Sequence, residues 1–471
     1  MDNYFGNFSE NSPNIEVIKK YEEMLANKQA LFFDVEEFED LVDYYSSKND
    51  TAKALNVTKF ALEQHPNSAS LLVSCAQLYV SIHKPQEAMK YLNLAETFEP
   101  FNIDLFQTKA SIFSQLRQSD KAIEQYSKAL EHSSQEERED LLVQLAFEYE
   151  NANKYLLAID CLKEVLSLNP ENETALYELG FCFDMSDQKE GGRDFFQWFV
   201  DQNPYSHIGW YNLGISYDKL ELYEKAIDCY DFAIAIKEDY SSAFFNKAHD
   251  LNKLNRPKEA LACYNETLKI DTEDSLSYYY IGECYEKMEE LERAISFYKK
   301  AVEIDEFIAD AWYGISSCLF EIGKYKEGLA YINKAITLDE FNYDYHYLKG
   351  DIQKQLGLED EALASFEKAY ELEPSDEDLL IDLAFLSDER GDSEHAREYF
   401  YQALKEDPTN AKLLYNFVAF LLKKGDVINA LFYLETALSK HYEDRFELFE
   451  RFPEAEHDPQ VIELVEYYNQ K

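Results

Sequence analysis

Positive charge is scarce in this sequence of 471 residues, because 45 lysines and arginines stand against 92 aspartates and glutamates. The resulting formal net charge of −47 repels nucleic acid and anionic lipid, and it attracts basic partners. We therefore expect no binding to DNA or RNA.

Long apolar runs are also missing. No uncharged apolar stretch is long enough to span a bilayer, and residues Met1 to Phe5 show no basic segment followed by an apolar one. Position 2 is not glycine and no cysteine lies near the last residue, so the common lipid-anchor signals are absent. We expect no direct membrane insertion and a cytoplasmic location.

Sequence signatures of metal, redox and nucleotide chemistry are lacking as well. The seven cysteines form no Cys-x-x-Cys pair, and no two histidines share a helix at a spacing that suits a metal ion. The glycine pair Gly191-Gly192 lies inside a helical segment and not between a strand and a helix. We expect buried, reduced thiols, no metal site and no cofactor.

What the sequence does have is a period of 34 residues. The residues from Trp210 to Ala233 resemble those from Tyr278 to Ala301 without a gap, at a multiple of this period. In the same register, repeats begin at residues 35, 69, 103, 139, 173, 207, 241, 275, 309, 343, 377 and 411. Twelve repeats fill residues 35–444 once a two-residue insertion near Glu137 and Arg138 is allowed.

Several repeat positions have a physical reason. Position 20 is alanine or glycine in all twelve copies and position 8 is small in most, so two helices must approach closely there. Positions 4, 7 and 11 are mostly large and apolar, on one face of a helical period. Proline at position 32 in half of the copies ends one helix before the next begins. Each repeat is therefore predicted to be helix, turn, helix.

This pattern resembles the tetratricopeptide repeat over residues 35–444. The resemblance implies an all-α, right-handed superhelical solenoid in which the first helix of each repeat lines a concave groove. Residues 1–34 are expected to form an N-terminal capping helix beginning at Ser12 and Pro13, and residues 445–471 to form C-terminal capping helices. About 60 residues lie outside the repeats, which is too few for a catalytic domain. We therefore expect that this protein is not an enzyme.

A second stripe on each first helix, at positions 2, 5, 9 and 12, is turned away from the packed face. Position 5 is mostly tyrosine from residue 173 onward, and tyrosine offers apolar area and a hydroxyl at little rotamer cost. Family members often carry tyrosine there regardless of ligand, so this alternative stays open. The expected protein-binding groove includes Tyr177, Tyr211, Asn212, Phe245, Asn246, Tyr279, Tyr313, Tyr347 and Tyr415.

Acidic residues concentrate on the same stripe between residues 309 and 410, with Lys354 as the clearest opposing charge. An arginine- or lysine-rich segment would pair with these carboxylates and stack on the tyrosines. The alternative is an acidic surface that keeps the protein in solution. The acidic residues added to the expected groove are Asp310, Asp344, Asp351, Asp378 and Asp382.

The aromatic helix around Phe195, Phe196, Trp198 and Phe199 has two interpretations. It is either a local partner site or a core in which the large Phe199 compensates for the small Gly192.

The functional hypothesis is a non-enzymatic scaffold or adaptor that binds a basic or amphipathic polypeptide segment in an acidic, tyrosine-lined groove. The alternative is a peptide-responsive sensor whose superhelix changes conformation on binding. Binding to acidic chaperone tails is disfavoured, because the resemblance implies a lysine at position 5 for that role and no repeat has lysine or arginine there.

Overall fold

A computed structural model describes residues 15–27 and 30–469. Within these residues every regular element is helical, which confirms the predicted all-α class. The cap predicted at Ser12 and Pro13 lies outside the described residues. The chain divides into two compact units, residues 1–238 and residues 239–471, which are described separately below.

The first unit contains one single helix followed by six helical hairpins. The single helix is α1 (Ile15–Asn27), and it contacts the first helix of the first hairpin. The hairpins are α2 (Val35–Ser47) with α3 (Thr51–Gln64), α4 (Ala69–Ser81) with α5 (Pro85–Phe98), α6 (Ile103–Gln115) with α7 (Ser119–His132), α8 (Gln135–Asn151) with α9 (Tyr155–Leu168), α10 (Glu173–Met185) with α11 (Lys189–Gln202), and α12 (His207–Lys219) with α13 (Tyr223–Ile236).

The second unit contains six further hairpins and a C-terminal group of short helices. The hairpins are α14 (Ser241–Lys253) with α15 (Pro257–Ile270), α16 (Ser275–Lys287) with α17 (Leu291–Ile304), α18 (Ala309–Glu321) with α19 (Tyr325–Leu338), α20 (Tyr343–Gln355) with α21 (Glu359–Leu372), α22 (Glu377–Glu389) with α23 (Ser393–Glu406), and α24 (Ala411–Lys423) with α25 (Val427–His441). The C-terminal group is a 3-10 turn (Tyr442–Arg445), α26 (Phe446–Arg451), a second 3-10 turn (Pro453–His457) and α27 (Pro459–Asn469).

Small residues hold the two helices of a hairpin together, as the sequence predicts. The alanines at position 20 are fully buried. At position 8, a Cβ atom added to Gly214 would lie 2.5 Å from the Tyr230 ring, and one added to Gly282 would lie 2.5 Å from the Tyr298 ring. The first helix therefore rests directly on an aromatic ring of the second helix, and this contact leaves no room for a side chain.

The turn inside each hairpin passes through one residue with positive φ, in all twelve hairpins. In the first hairpin this residue is Asn49, where the Asn49 amide donates to the Ser46 carbonyl and the Asp50 amide donates to the Tyr45 carbonyl. Such a left-handed residue closes the last carbonyls of a helix. It is glycine in the last four hairpins and another residue type in the first eight.

The predicted insertion lengthens one helix and shortens the connection before it to two residues, 133–134. Helix α8 has 17 residues where the other first helices have 13. The additional turn begins at Ser134, whose hydroxyl accepts from the Glu137 amide while the Glu137 carboxylate accepts from the Ser134 amide. This reciprocal capping box satisfies donors that a helix start otherwise leaves open.

In the aromatic helix α11, Phe199 does not fill the space beside Gly192, so the predicted compensation between these two residues is not found. Phe196 and Phe199 are buried, and a Cβ atom added to Gly209 would lie 3.0 Å from the Phe199 ring. A Cβ atom added to Gly192 would lie 3.3 Å from Phe183. Each unusual residue is thus matched by its own neighbour, and the two changes do not compensate each other directly.

The C-terminal group folds onto the last hairpin of the second unit. Leu448, Ala455 and Val461 are buried in the same apolar core as α24. Tyr415 on α24 is fully buried, and its hydroxyl donates to the His441 carbonyl oxygen at 2.8 Å. The expectation that Tyr415 lines an open groove is therefore wrong, because the chain's own C-terminal residues cover it.

Candidate functional site

In the first unit the expected groove residues differ in exposure. Tyr177 on α10 is 41% exposed, whereas Asn212 on α12 is buried. The Asn212 side chain donates from Nδ2 to the Leu176 carbonyl oxygen at 2.7 Å, a bond between neighbouring hairpins. Tyr211 is half-buried, with its ring centroid 6.0 Å from that of Tyr230. Asn212 thus joins two hairpins through its amide nitrogen.

In the second unit the position-5 aromatic residues other than the buried Tyr415 are half-buried, and each contacts other aromatic rings. The Phe245 ring meets the edges of the Tyr264 and Tyr280 rings at 5.6 and 5.5 Å between centroids. Tyr313 stacks on Tyr345 at 5.3 Å. Each ring is held in a fixed orientation by its neighbours, with part of its surface open to solvent. The neighbouring Asn246 is also half-buried, on α14.

Tyrosine hydroxyls donate to the carboxylates on this stripe. Tyr347 donates to Asp382 Oδ2 at 3.0 Å, and it stacks on Tyr343 at 5.7 Å between ring centroids. Tyr345 donates to Asp310 Oδ1 at 2.5 Å. These phenol donors orient the two carboxylates.

Two of the five expected acidic residues are neutralised by lysines of the same chain. Lys354 lies 2.8 Å from Asp382 Oδ1, and Lys412 lies 2.7 Å from Asp378 Oδ1. The other three, Asp310, Asp344 and Asp351, have no cationic side chain within ion-pair distance among the described residues. The groove therefore has fewer unpaired carboxylates than the sequence indicates.

Burial and neighbouring acids raise the pKa of two groups on this stripe, Asp351 and Tyr313. Burial, followed by repulsion from Asp382, raises the pKa of Asp351 to about 6. Burial, followed by the negative charges of Asp344, Glu286 and Asp310, raises the pKa of Tyr313 to about 12. Both shifts mean that a cation placed beside these groups would be favoured.

Sequence reasoning missed two carboxylates that extend the same stripe. Tyr279 donates to Glu283 Oε1 at 2.7 Å, and Tyr298 donates to Glu286 Oε2 at 2.5 Å. Burial is the main cause of a raised pKa at Glu286. These residues occupy positions 9 and 12 of the repeat that begins at 275, so the register itself contained the signal.

We also searched the described residues for reactive thiols, metal-ligand clusters and membrane-spanning helices. All seven cysteines are free, and burial raises the pKa of Cys75 and Cys161 to about 11, which makes these thiols poor nucleophiles. Among residues 15–27 and 30–469, no cluster of three metal-ligating side chains is found. In the same ranges, every helix is too short or too polar to cross a bilayer.

Family profiles match the chain in the predicted register. Two profiles described as tetratricopeptide repeat match residues 207–240, and residues 103–135, 139–172, 343–376 and 378–410. A third, described as anaphase-promoting complex, cyclosome, subunit 3, matches residues 253–335. Four of the five repeat matches begin at a predicted repeat start, and the fifth begins one residue later. No curated protein matches the sequence.

Solved structures show distant similarity. YrrB, described as a tetratricopeptide-repeat protein with an unusual peptide-binding site, is 24% identical over 40% of this chain and 97% of its own, with a TM-score of 0.35. The APC/C hetero-tetramer Cut9-Hcn1 is 14% identical over 84% of this chain and 90% of its own, with a TM-score of 0.42. MamA from Desulfovibrio magneticus RS-1 is 19% identical over 36% of this chain and 96% of its own, with a TM-score of 0.34.

Tetratricopeptide repeats form scaffolds for protein–protein interaction, and both the profile matches and the twelve helical hairpins have the period of this repeat. The chain belongs to the tetratricopeptide-repeat family.

Proposed function

We propose that this protein is a non-catalytic scaffold whose second unit binds a basic or amphipathic polypeptide segment along the first helices α16, α18 and α20. The observation that supports the proposal is a set of three carboxylates, Asp310, Asp344 and Asp351, beside the rings of Tyr313 and Tyr347. None of the three has an ion-pair partner among the described residues.

The chemistry of this set suits arginine and lysine side chains. A guest cation beside Asp351 would relieve the repulsion between Asp351 and Asp382. The same cation can lie on a tyrosine face, a contact that contributes about 0.5–1 kcal/mol at an exposed site. Since Asp310 and the Tyr347 ring are already oriented by hydrogen bonds within the chain, binding costs little ordering of these two groups.

Charge reversal on the groove tests the proposal. The probe is a short fluorescein-labelled peptide of alternating arginine and leucine, and its dissociation constant is measured by fluorescence anisotropy. We expect the double variant Asp344→Lys, Asp351→Lys to bind the peptide about tenfold more weakly, because two attractive charges become repulsive. Raising the salt concentration should weaken binding to the wild type more than binding to this variant.

A matched control separates the groove from the overall charge of the protein. Glu327 and Glu367 are exposed on the second helices α19 and α21, so Glu327→Lys, Glu367→Lys changes the net charge equally, away from the stripe. We expect this control to change the affinity less than about twofold. Equal weakening by both double variants would overturn the proposal, because it would show attraction to the whole acidic molecule.

A cytoplasmic location is part of the proposal. It is supported by the seven free cysteines, because an oxidising compartment favours disulfides. Localising a tagged full-length chain in cells by microscopy tests this expectation, and its recovery from an oxidising compartment would contradict it.

A further inference from the structure

One pair of residues recurs at corresponding places in the two units. Phenylalanine at repeat position 9, followed by asparagine at position 6 of the next repeat, occurs at Phe181 with Asn212 and at Phe385 with Asn416. No other pair of adjacent repeats has this combination. The two occurrences can therefore be compared atom by atom.

In the second unit this pair holds an arginine of the same chain. The guanidinium carbon of Arg451 lies 4.1 Å from the centroid of the Phe385 ring, and Arg451 Nε donates to Asn416 Oδ1 at 3.0 Å. Asn416 Nδ2 donates to the Lys412 carbonyl oxygen at 2.8 Å, which directs Oδ1 toward the arginine. The ring and the amide together recognise both the face and the edge of a guanidinium group.

In the first unit the same pair carries no covering side chain of this kind. The Phe181 ring is 47% exposed, whereas the Phe385 ring is 7% exposed. Asn212 Nδ2 donates to the carbonyl oxygen of Leu176 in the preceding hairpin, whereas Asn416 Nδ2 donates within its own helix, and no described hydrogen bond uses Asn212 Oδ1. A Cβ atom added to Gly180 would lie 2.9 Å from Asn212 Oδ1, so the amide oxygen lies beside the residue that precedes Phe181.

The charges around the two pairs differ in a way that favours a guest cation in the first unit. In the second unit, Asp382 occupies position 6 of the repeat that contains Phe385, and Lys354 occupies position 12 of the repeat before it. These two residues form an ion pair at 2.8 Å. The corresponding residues in the first unit are Glu150 and Glu178. Their half-buried carboxyl groups interact with each other, and neither has an ion-pair partner among the described residues.

We propose that Phe181, Asn212, Glu150 and Glu178 form an arginine-binding subsite for a guest polypeptide, which they hold as Phe385 and Asn416 hold Arg451. The occupant is an arginine next to an apolar residue, since Arg451 is followed by Phe452, which packs on the apolar core of the last hairpins. Lysine fits less well. A planar guanidinium group can stack its face on the ring while an N–H in its plane donates to the asparagine, whereas an ammonium group is not planar and cannot do both. The subsite rests on the proposed scaffold function but lies in the other unit.

The experiment uses the full chain and a labelled peptide with the sequence of residues 446–453 in which both glutamates are replaced by glutamine. Anisotropy titrations compare the arginine peptide with a version that has lysine at the arginine position. We expect the wild type to prefer the arginine peptide about fivefold, and Phe181→Ala to remove this preference. Glu178→Gln should weaken binding of both peptides, because both carry a positive charge.

The control variant is Phe101→Ala, which removes another exposed ring of the first unit outside the first-helix stripe. It should leave the arginine preference unchanged. If Phe181→Ala still prefers the arginine peptide over the lysine peptide, the subsite proposal is overturned. The scaffold proposal would still stand in that case, provided that the charge-reversed groove variant has lost affinity for its own peptide. Absence of wild-type binding to the arginine version of this peptide would overturn the subsite alone, whereas absence of binding to the peptide of alternating arginine and leucine would overturn the scaffold proposal. Circular dichroism of Phe181→Ala establishes that the variant folds, as expected for an exposed ring.

Discussion

Helices α10 and α22 have phenylalanine at the same repeat position, yet the two rings are in different environments. Phe181 on α10 is 47% exposed, whereas Phe385 on α22 is 7% exposed. Arg451 from α26 lies on the Phe385 ring, while no arginine or lysine lies over Phe181 among the described residues. The repeat position therefore determines where the phenylalanine side chain points. Whether its ring is accessible depends on a covering segment such as α26.

Loosening the segment that covers the last hairpins of the second unit should have the largest effect. Leu448 on α26 is fully buried against the last hairpins, and Leu448→Ala should destabilise them by about 3 kcal/mol through lost burial and a cavity. Hydrogen exchange should become faster in α24 and α26 and remain unchanged in α10. Leu276→Ala, at a site 48% exposed in the same unit, is the control and should have little effect. Unchanged exchange in α24 would contradict the covering role.

Removing the arginine itself should have a smaller effect. Arg451→Ala loses the stacking on Phe385 and leaves Asn416 Oδ1 without its donor, at an expected cost of about 1–2 kcal/mol. Arg451→Lys keeps the charge but loses the Nε donor, so its stability should lie between those of the wild type and the alanine variant. Urea denaturation followed by circular dichroism measures both. Equal stability of the lysine variant and the wild type would show that Nε contributes nothing.

The turns inside the hairpins offer a third contrast. Glu221 in the first unit has φ of 59°, where the last four hairpins of the second unit use Gly323, Gly357, Gly391 and Gly425. A left-handed conformation costs a residue with a Cβ atom about 1–2 kcal/mol, and glycine loses part of this advantage through the entropy of the unfolded chain. Glu221→Gly should therefore stabilise the first unit by about 0.5–1 kcal/mol in thermal or urea denaturation.

Asn49 provides the matched case for the turn prediction, because it has φ of 56° and asparagine tolerates this conformation better than glutamate. Asn49→Gly should change stability less than Glu221→Gly. A larger gain at Asn49 would show that backbone strain does not determine the effect.

The repeat period was sufficient to predict most of the fold. Small residues at position 20 in every copy, and at position 8 in most copies, are required by close contacts within a hairpin or with its neighbour, so a single sequence records them. The state of the groove was less predictable, since it depends on contacts between repeats and with the C-terminal group. Lys354 reaches Asp382, 28 residues away, and Arg451 reaches Asn416, 35 residues away. Tyr415 was misjudged for the same reason, because the covering segment does not follow the period.

The smallest expected effect concerns Glu150 and Glu178, which occupy in the first unit the positions that Lys354 and Asp382 occupy in the second unit. Burial, followed by the neighbouring Glu178, raises the pKa of Glu150 to about 7, although a bond from the Cys182 thiol opposes the shift. An acid whose folded pKa lies above its unfolded value binds more protons when folded, so its stabilising contribution is complete at low pH. That contribution is lost as the pH rises toward about 7.

Glu150→Gln should therefore be more stable than the wild type at pH values above about 7, and the difference should shrink toward pH 5. We expect a gain of less than about 1 kcal/mol, because the carboxyl is only half-buried and solvent screens its charge. Urea denaturation at several pH values measures this gain, with Glu173→Gln at an exposed site on α10 as the control. A gain independent of pH would show that the glutamine is preferred for packing. A gain confined to high pH would show that the first unit keeps an uncompensated negative charge at the place where the second unit has a lysine.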